Sequence, residues 1–176
     1  MSDFTLQPFP GDSLLPEIEI GGKIDRSGGK LVIDYQLIGE LTQVKIAHPA
    51  LPTRKFHLWE ATCFEFFVGI PGDRNYWEFN LSPSGDWNVF HLNDYRQGLR
   101  DELEFTSLPF KVDQQANSLS LALEFDLGKI ISIDQKIEVS ITTVIKADRG
   151  EMSYWALNHA GSEADFHQRD SFIIQI

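Results

Sequence analysis

Alternation of apolar and polar residues, with a period of two, dominates this chain. Over 30–37, Leu31, Ile33, Tyr35 and Leu37 fall on one face while Val32, Asp34 and Gln36 fall on the other. That is the pattern of a strand with one buried face. Leu119, Leu121, Leu123 and Phe125 repeat it against Ser118, Ser120 and Glu124, and Val139, Ile141, Thr143 and Ile145 against Glu138, Ser140 and Thr142. Further strands are expected at 17–20, 43–47, 62–69, 75–81, 87–92, 103–112, 153–158 and 171–176, giving about eleven short strands in all. Turn residues punctuate them at Gly21-Gly22, Gly28-Gly29, Pro71-Gly72-Asp73, Ser84-Gly85-Asp86, 113–117 and Asp148-Arg149-Gly150. Only 127–132 and 92–99 read as short helical pieces. Residues 7–16, with three prolines, read as an extended lead-in lying over the sheets. The expectation is an all-β antiparallel sandwich formed by one domain spanning 1–176.

Composition narrows the function classes. With 42% hydrophobic and 12% aromatic residues, the chain buries enough apolar surface to rule out disorder as its main state. Fifteen Lys and Arg against twenty-six Asp and Glu leave a net charge of −11, which argues against nucleic acid as a partner. No window approaches the roughly 18 apolar residues of a membrane span, and no basic start leads into an apolar run. The single Cys63 has no internal disulfide partner and fits a reducing compartment. A cytoplasmic protein is expected.

The alternation breaks down between Leu58 and Arg100. On 62–68, Phe64, Phe66 and Val68 share one face, and Cys63, Glu65 and Phe67 share the other. On the next strand Trp77, Phe79 and Leu81 oppose Tyr76, Glu78, Asn80 and Ser82. A symmetric turn at 71–74 sets Glu65 opposite Asn80 and Phe67 opposite Glu78, merging the two polar rows into one surface. Two readings follow. Either the row is the wet face of an antiparallel sheet, or it lines a concave site where aromatic faces stack on a ring and polar ends bind hydroxyls. The second reading suits a sugar.

Several words in this region resemble a known family. Trp59-Glu60-Ala61-Thr62-Cys63-Phe64-Glu65-Phe66-Phe67, then Tyr76 through Trp87, then Tyr95-Arg96, are similar to the bacterial DOMON-like proteins related to family 9 carbohydrate-binding modules. Tyr154 through His159 and Asp165-Phe166-His167 resemble that family's closing motif. The resemblance implies a jelly-roll sandwich with a ligand pocket on its concave sheet, binding carbohydrate or, in the wider superfamily, haem. The intracellular, stand-alone branch that the chain most resembles is largely of unknown function. A soluble sugar or sugar-containing metabolite is therefore as apt a ligand as a polymer.

The residues expected to bind ligand are Trp59, Glu65, Tyr76, Glu78, Asn80, Trp87, Tyr95, Arg96, Trp155 and His159. No catalytic role is assigned. A glycosidase using Glu65 and Glu78 is the first alternative, since such enzymes need two carboxyl groups roughly 5 to 9.5 Å apart. Haem binding through one of the five His residues or Met152 is the second. A zinc site of His159, Asp165 and His167 is possible by ligand type, although hydrogen bonding within a loop explains the same residues. A peptide or second subunit on the concave face is a further alternative. No cofactor is expected, and calcium and the oligomeric state are left open. Cys63 reads as a structural thiol, because a thiolate beside Glu65 is disfavoured by the negative neighbour.

Overall fold

The computed structural model describes residues 1–11 and 17–176. Among them, thirteen strands make two antiparallel sheets, with four short 3-10 turns and no α-helix. The first sheet runs in the order β1 (Ser2–Thr5), β3 (Ile18–Ser27), β4 (Lys30–Gly39), β10 (Ser118–Asp126) and β9 (Phe110–Gln114). The second runs β2 (Gln7–Pro8), β12 (Met152–Ala156), β11 (Glu138–Lys146), β5 (Cys63–Gly69), β6 (Tyr76–Leu81), β7 (Trp87–Leu92) and β8 (Arg100–Asp101). β13 (Ile174–Gln175) adds to β11. The all-β sandwich expected from the alternation is the observed architecture. No helix among the described residues is long and apolar enough to cross a membrane.

The core lies between the sheets. Leu31, Ile33, Tyr35 and Leu37 of β4 and Leu119, Leu121, Leu123 and Phe125 of β10 face Phe64, Phe66 and Val68 of β5 and Phe79 and Leu81 of β6. Phe66 and Phe79 stack in parallel with centroids 4.4 Å apart. The Tyr35 hydroxyl crosses the core and donates to the Glu65 carbonyl at 2.7 Å, so the one polar atom of that ring is satisfied.

Several local expectations are corrected. Gly21 and Gly22 form no turn; they lie inside β3. A Cβ on Gly22 would stand 1.8 Å from the Asp34 carbonyl oxygen and 2.7 Å from the Phe4 ring, so glycine here serves close approach of backbone and ring. The strand expected at 103–112 shortens to β9, because Pro109 cannot donate to a ladder. Residues 43–47 give only the end of a 3-10 turn, Leu41–Gln43, and a single bridge at Val44. Residues 92–99 form a tight turn in place of a helix, with Arg96 and Gly98 both left-handed at φ 52° and 68°, a conformation no α-helix accommodates. The 127–132 piece is a 3-10 turn, Leu127–Lys129, capped by the Asp126 carboxylate. Of 171–176 only β13 is strand, preceded by a 3-10 turn, Arg169–Ser171. Residues 2–8 supply β1 to one sheet and β2 to the other, and 12–16 of the expected lead-in lie outside the described residues.

The outer face of the second sheet is not wet. Every residue of β5 and β6 is buried. A second apolar cluster covers that face: Phe67, Tyr76, Phe90, Leu92, Val144 and Ala156 from the strands, with Phe166 and Phe172 from the segment after β12. This covering segment turns the polar row of the hairpin into the wall of a cavity.

Candidate functional site

The hairpin β5–β6 supplies the floor. Its register sets Glu65 opposite Asn80 and Phe67 opposite Glu78, the pairing that a symmetric turn at 71–74 requires. Glu65 is also the register partner of Thr142 on β11, so the polar row continues across a third strand.

A cavity of about 280 Å³ opens above this floor. Glu65, Phe67 and Glu78 line its base, with Val144 of β11 and Tyr154 of β12 alongside. Trp59 reaches it from the 3-10 turn Leu58–Glu60, Arg96 and Leu99 from the tight turn after β7, and Ala164, Phe166 and His167 from the covering segment. A wider groove of about 610 Å³ crosses the outer face of the first sheet near Gly21 and Gly22. None of the buried, unpartnered side-chain atoms found among the described residues lines that groove.

Asp165 pins the covering segment. Its carboxylate accepts from Arg96 Nη2 at 2.8 Å, from the His167 backbone N–H at 3.0 Å and from the Tyr95 hydroxyl. Tyr76 fixes the imidazole: its hydroxyl lies 2.8 Å from His167 Nδ1 and accepts from the Arg96 backbone N–H at 3.2 Å. A neutral ring that accepts the phenol proton at Nδ1 carries its own proton on Nε2, the nitrogen that faces Glu78 Oε2 at 3.9 Å. Glu78 Oε1 accepts from Asn80 Nδ2 at 2.7 Å. Each of these groups holds the next in place.

Burial sets the charge states. Glu78 is pushed up to about 7 by loss of solvent, against the opposing pull of the Asn80 amide and the Arg96 charge. Glu65 is driven well above the usual carboxylate range, first by burial and then by the Glu78 carboxyl beside it. His167 is held neutral, lowered to about 4 chiefly by burial. Burial and Glu65 raise the Cys63 thiol, which agrees with an inert structural cysteine. Glu65 Oε1 and the Thr142 hydroxyl, on register partners, are buried without a hydrogen-bond partner among the described residues. Such atoms are costly to leave unmatched in a fold.

The chain resembles three solved structures over almost all of its length. It covers 96% of itself and 84% of a candidate carbohydrate-binding protein from Bacteroides uniformis, at a TM-score of 0.68 and 14% identity. Two structures of a family 9 carbohydrate-binding module from Caldicellulosiruptor kristjanssonii, one with glucose and one with cellotriose, match at TM-scores of 0.57 and 0.55 and 10% identity. This chain covers 78% and 76% of them. At such identities the likeness is one of fold. No protein-family model matches the sequence, and no curated protein does.

Of the ten residues singled out by sequence, Trp59, Glu65, Glu78 and Arg96 stand on the cavity wall. Tyr76, Asn80 and Tyr95 hold wall or covering residues from behind. Three lie elsewhere. Trp87 and Trp155 belong to the core between the sheets, because each takes the inward phase of its strand: Trp87 pairs with Leu81, and Trp155 with Thr143. His159 bonds the Gln7 carbonyl and meets the Phe9 ring edge-on, so it anchors the N-terminal strand. Sequence reasoning left Phe67, Leu99, Val144, Tyr154, Ala164, Phe166 and His167 off the site. His167 had a signal in the word Asp165-Phe166-His167, and Tyr154 in its opposite phase to Trp155.

Metal and haem fit the cavity poorly. Among the described residues no group of three His, Cys, Asp or Glu is placed to hold a metal ion. His159, Asp165 and His167 are each committed to other partners. His167 is the one histidine on the wall, and its two nitrogens face Tyr76 and Glu78, leaving no nitrogen aimed at an axial position.

Proposed function

We propose that the protein is a non-catalytic ligand-binding domain whose outer-face cavity takes a single sugar ring, free or as part of a sugar-containing metabolite. The observation that carries this reading is the cavity itself: a small, half-open space with aromatic side chains on its walls and hydrogen-bonding groups on its floor. Trp59, Tyr154 and Phe166 offer faces for the apolar side of a pyranose, and Glu65, Glu78 and His167 offer acceptors and donors for its rim. A cavity of about 280 Å³ lies just below the usual ligand-site range of about 300–1,000 Å³, which favours one ring over a polymer. Solved structures of the same fold described as carbohydrate-binding, two of them with glucose or cellotriose bound, support the assignment. The sequence resemblance to the DOMON-like branch and a cytoplasmic location, suggested by the lone buried thiol of Cys63, belong to the same proposal.

Tryptophan fluorescence tests it. Titration with a monosaccharide and sugar-nucleotide panel should shift the emission of Trp59, while Trp59→Phe removes that response and lowers affinity about tenfold, as expected for the loss of one stacking face. A panel without any binder, or a response that persists in Trp59→Phe, counts against the reading.

A further inference from the structure

We infer that the ligand of this cavity carries an aliphatic ammonium group, as an amino sugar does, and that Glu65 and Glu78 are its counter-ions. The inference rests on the sugar reading above and narrows it.

Charge bookkeeping around the cavity leads there. Two carboxyl groups, Glu65 and Glu78, lie on its floor at 3% and 4% exposure, and neither has a cationic partner of its own. Arg96 is the one cation on the wall, and its guanidinium is already bonded to Asp165. His167 supplies no charge, because burial holds its ring neutral. Cys63, Tyr76 and Tyr95, the other titratable groups nearby, are not bases. With no positive charge of their own, the two buried carboxyls keep their protons in the free protein, since an ionised carboxylate buried without a partner is unfavourable.

Two independent features show where that charge would sit. Glu65, on the cavity floor, leaves Oε1 without a hydrogen-bond partner, and the hydroxyl of its register partner Thr142 is likewise unpaired among the described residues. An ammonium brings three donors to such a place. The walls above are aromatic, from Trp59, Tyr154 and Phe166, and ring faces attract a cation that has left water. A neutral hydroxyl would answer the orphan oxygen but would leave both carboxyls protonated. A bare metal ion would find too few ligands and walls of carbon.

Binding then has a proton signature. Both carboxyls hold protons more tightly than ordinary carboxylates in the free protein, so a cation that favours their ionised forms expels protons into the buffer.

Isothermal titration of the intact chain near neutral pH, in two buffers of different ionisation heat, is the test, with glucosamine, N-acetylglucosamine, glucose and choline as probes. Glucosamine should bind at least about tenfold more tightly than glucose or N-acetylglucosamine, with proton release seen for the amine alone. The preference should vanish in the Glu65→Gln/Glu78→Gln double variant. Glucose binding as tightly as glucosamine, or glucosamine binding without proton release, overturns the inference and leaves the sugar reading standing. Choline binding without any sugar keeps the ammonium claim and removes the sugar reading. Failure of all four probes overturns both.

Discussion

Exchanging Glu65 and Glu78 together for Gln raises the melting temperature of the ligand-free protein in mildly alkaline buffer and flattens its dependence on pH. Each carboxyl binds its proton more tightly in the folded chain than in the unfolded one. Its stabilising contribution is therefore fully present below the ordinary value of 4.5 and is lost as the pH climbs through the folded value, about 7 for Glu78. Ionised and buried, Glu78 alone costs the fold about 3 kcal/mol, and Glu65 adds in the same direction. His167 works the opposite way: lowered from 6.5 to about 4, it contributes stability above 6.5 that is lost as the pH falls toward 4. The two effects oppose each other in mild acid; just above 6.5 the carboxyls dominate, and the raised Cys63 thiol adds a further loss only in stronger alkali. Thermal melts of wild type should thus fall from there into mildly alkaline buffer while the double variant falls far less. Gln keeps an acceptor for the Asn80 amide, so the exchange leaves that bond in place. Equal slopes for the two proteins would contradict the charge states assigned to the cavity floor.

The second large effect concerns the covering segment. Arg169 donates to the Asn75 carbonyl at 3.2 Å and the Ile70 carbonyl at 3.0 Å, pairs with the Glu138 carboxylate, and lies over the Phe172 ring at 4.8 Å. It occupies the space above Gly69, where a Cβ would come within 2.0 Å of Nη1. Arg169→Ala takes a donor from two carbonyls and leaves one largely buried carboxylate without its cation, and should cost about 3 kcal/mol in urea unfolding. Arg169→Lys should recover only part of this, since one ammonium cannot reproduce the planar fork. Because Arg169 follows directly on the stretch carrying Ala164, Phe166 and His167, ligand affinity should fall with stability. A cost below about 1 kcal/mol would show that the segment is held by its apolar contacts alone.

Much of the architecture could be read from the sequence because one physical rule governs it. Where a strand buries a single face, as Leu31 to Leu37 and Leu119 to Phe125 do, alternation marks the inward side directly. A symmetric turn at 71–74 predicts the pairing of Glu65 with Asn80, and the structure has that register rather than one slipped by a residue. Legibility failed where two causes give the same residue. Gly21-Gly22 has the composition of a turn, yet it serves the close approach of Asp34 and Phe4. Trp87 and Trp155 flank polar rows, yet they take the inward phase of their strands.

The covered outer face was the larger omission. No local pattern announces that 164–172 folds back over a sheet a hundred residues upstream in sequence. The signal that did exist was the near-continuous apolar run Cys63-Phe64-Glu65-Phe66-Phe67-Val68, which marks a strand buried on both faces. A carboxylate inside such a run calls for a roof overhead.

One substitution puts the location of binding to the test. Ala164 lines the cavity from the covering segment and is only half-buried, so Ala164→Phe fills the space while changing stability by no more than about 0.5 kcal/mol. In isothermal titration with the best-binding monosaccharide, wild type should give a saturable one-site isotherm and Ala164→Phe none. Equal binding by a folded Ala164→Phe variant would place the ligand elsewhere on the molecule.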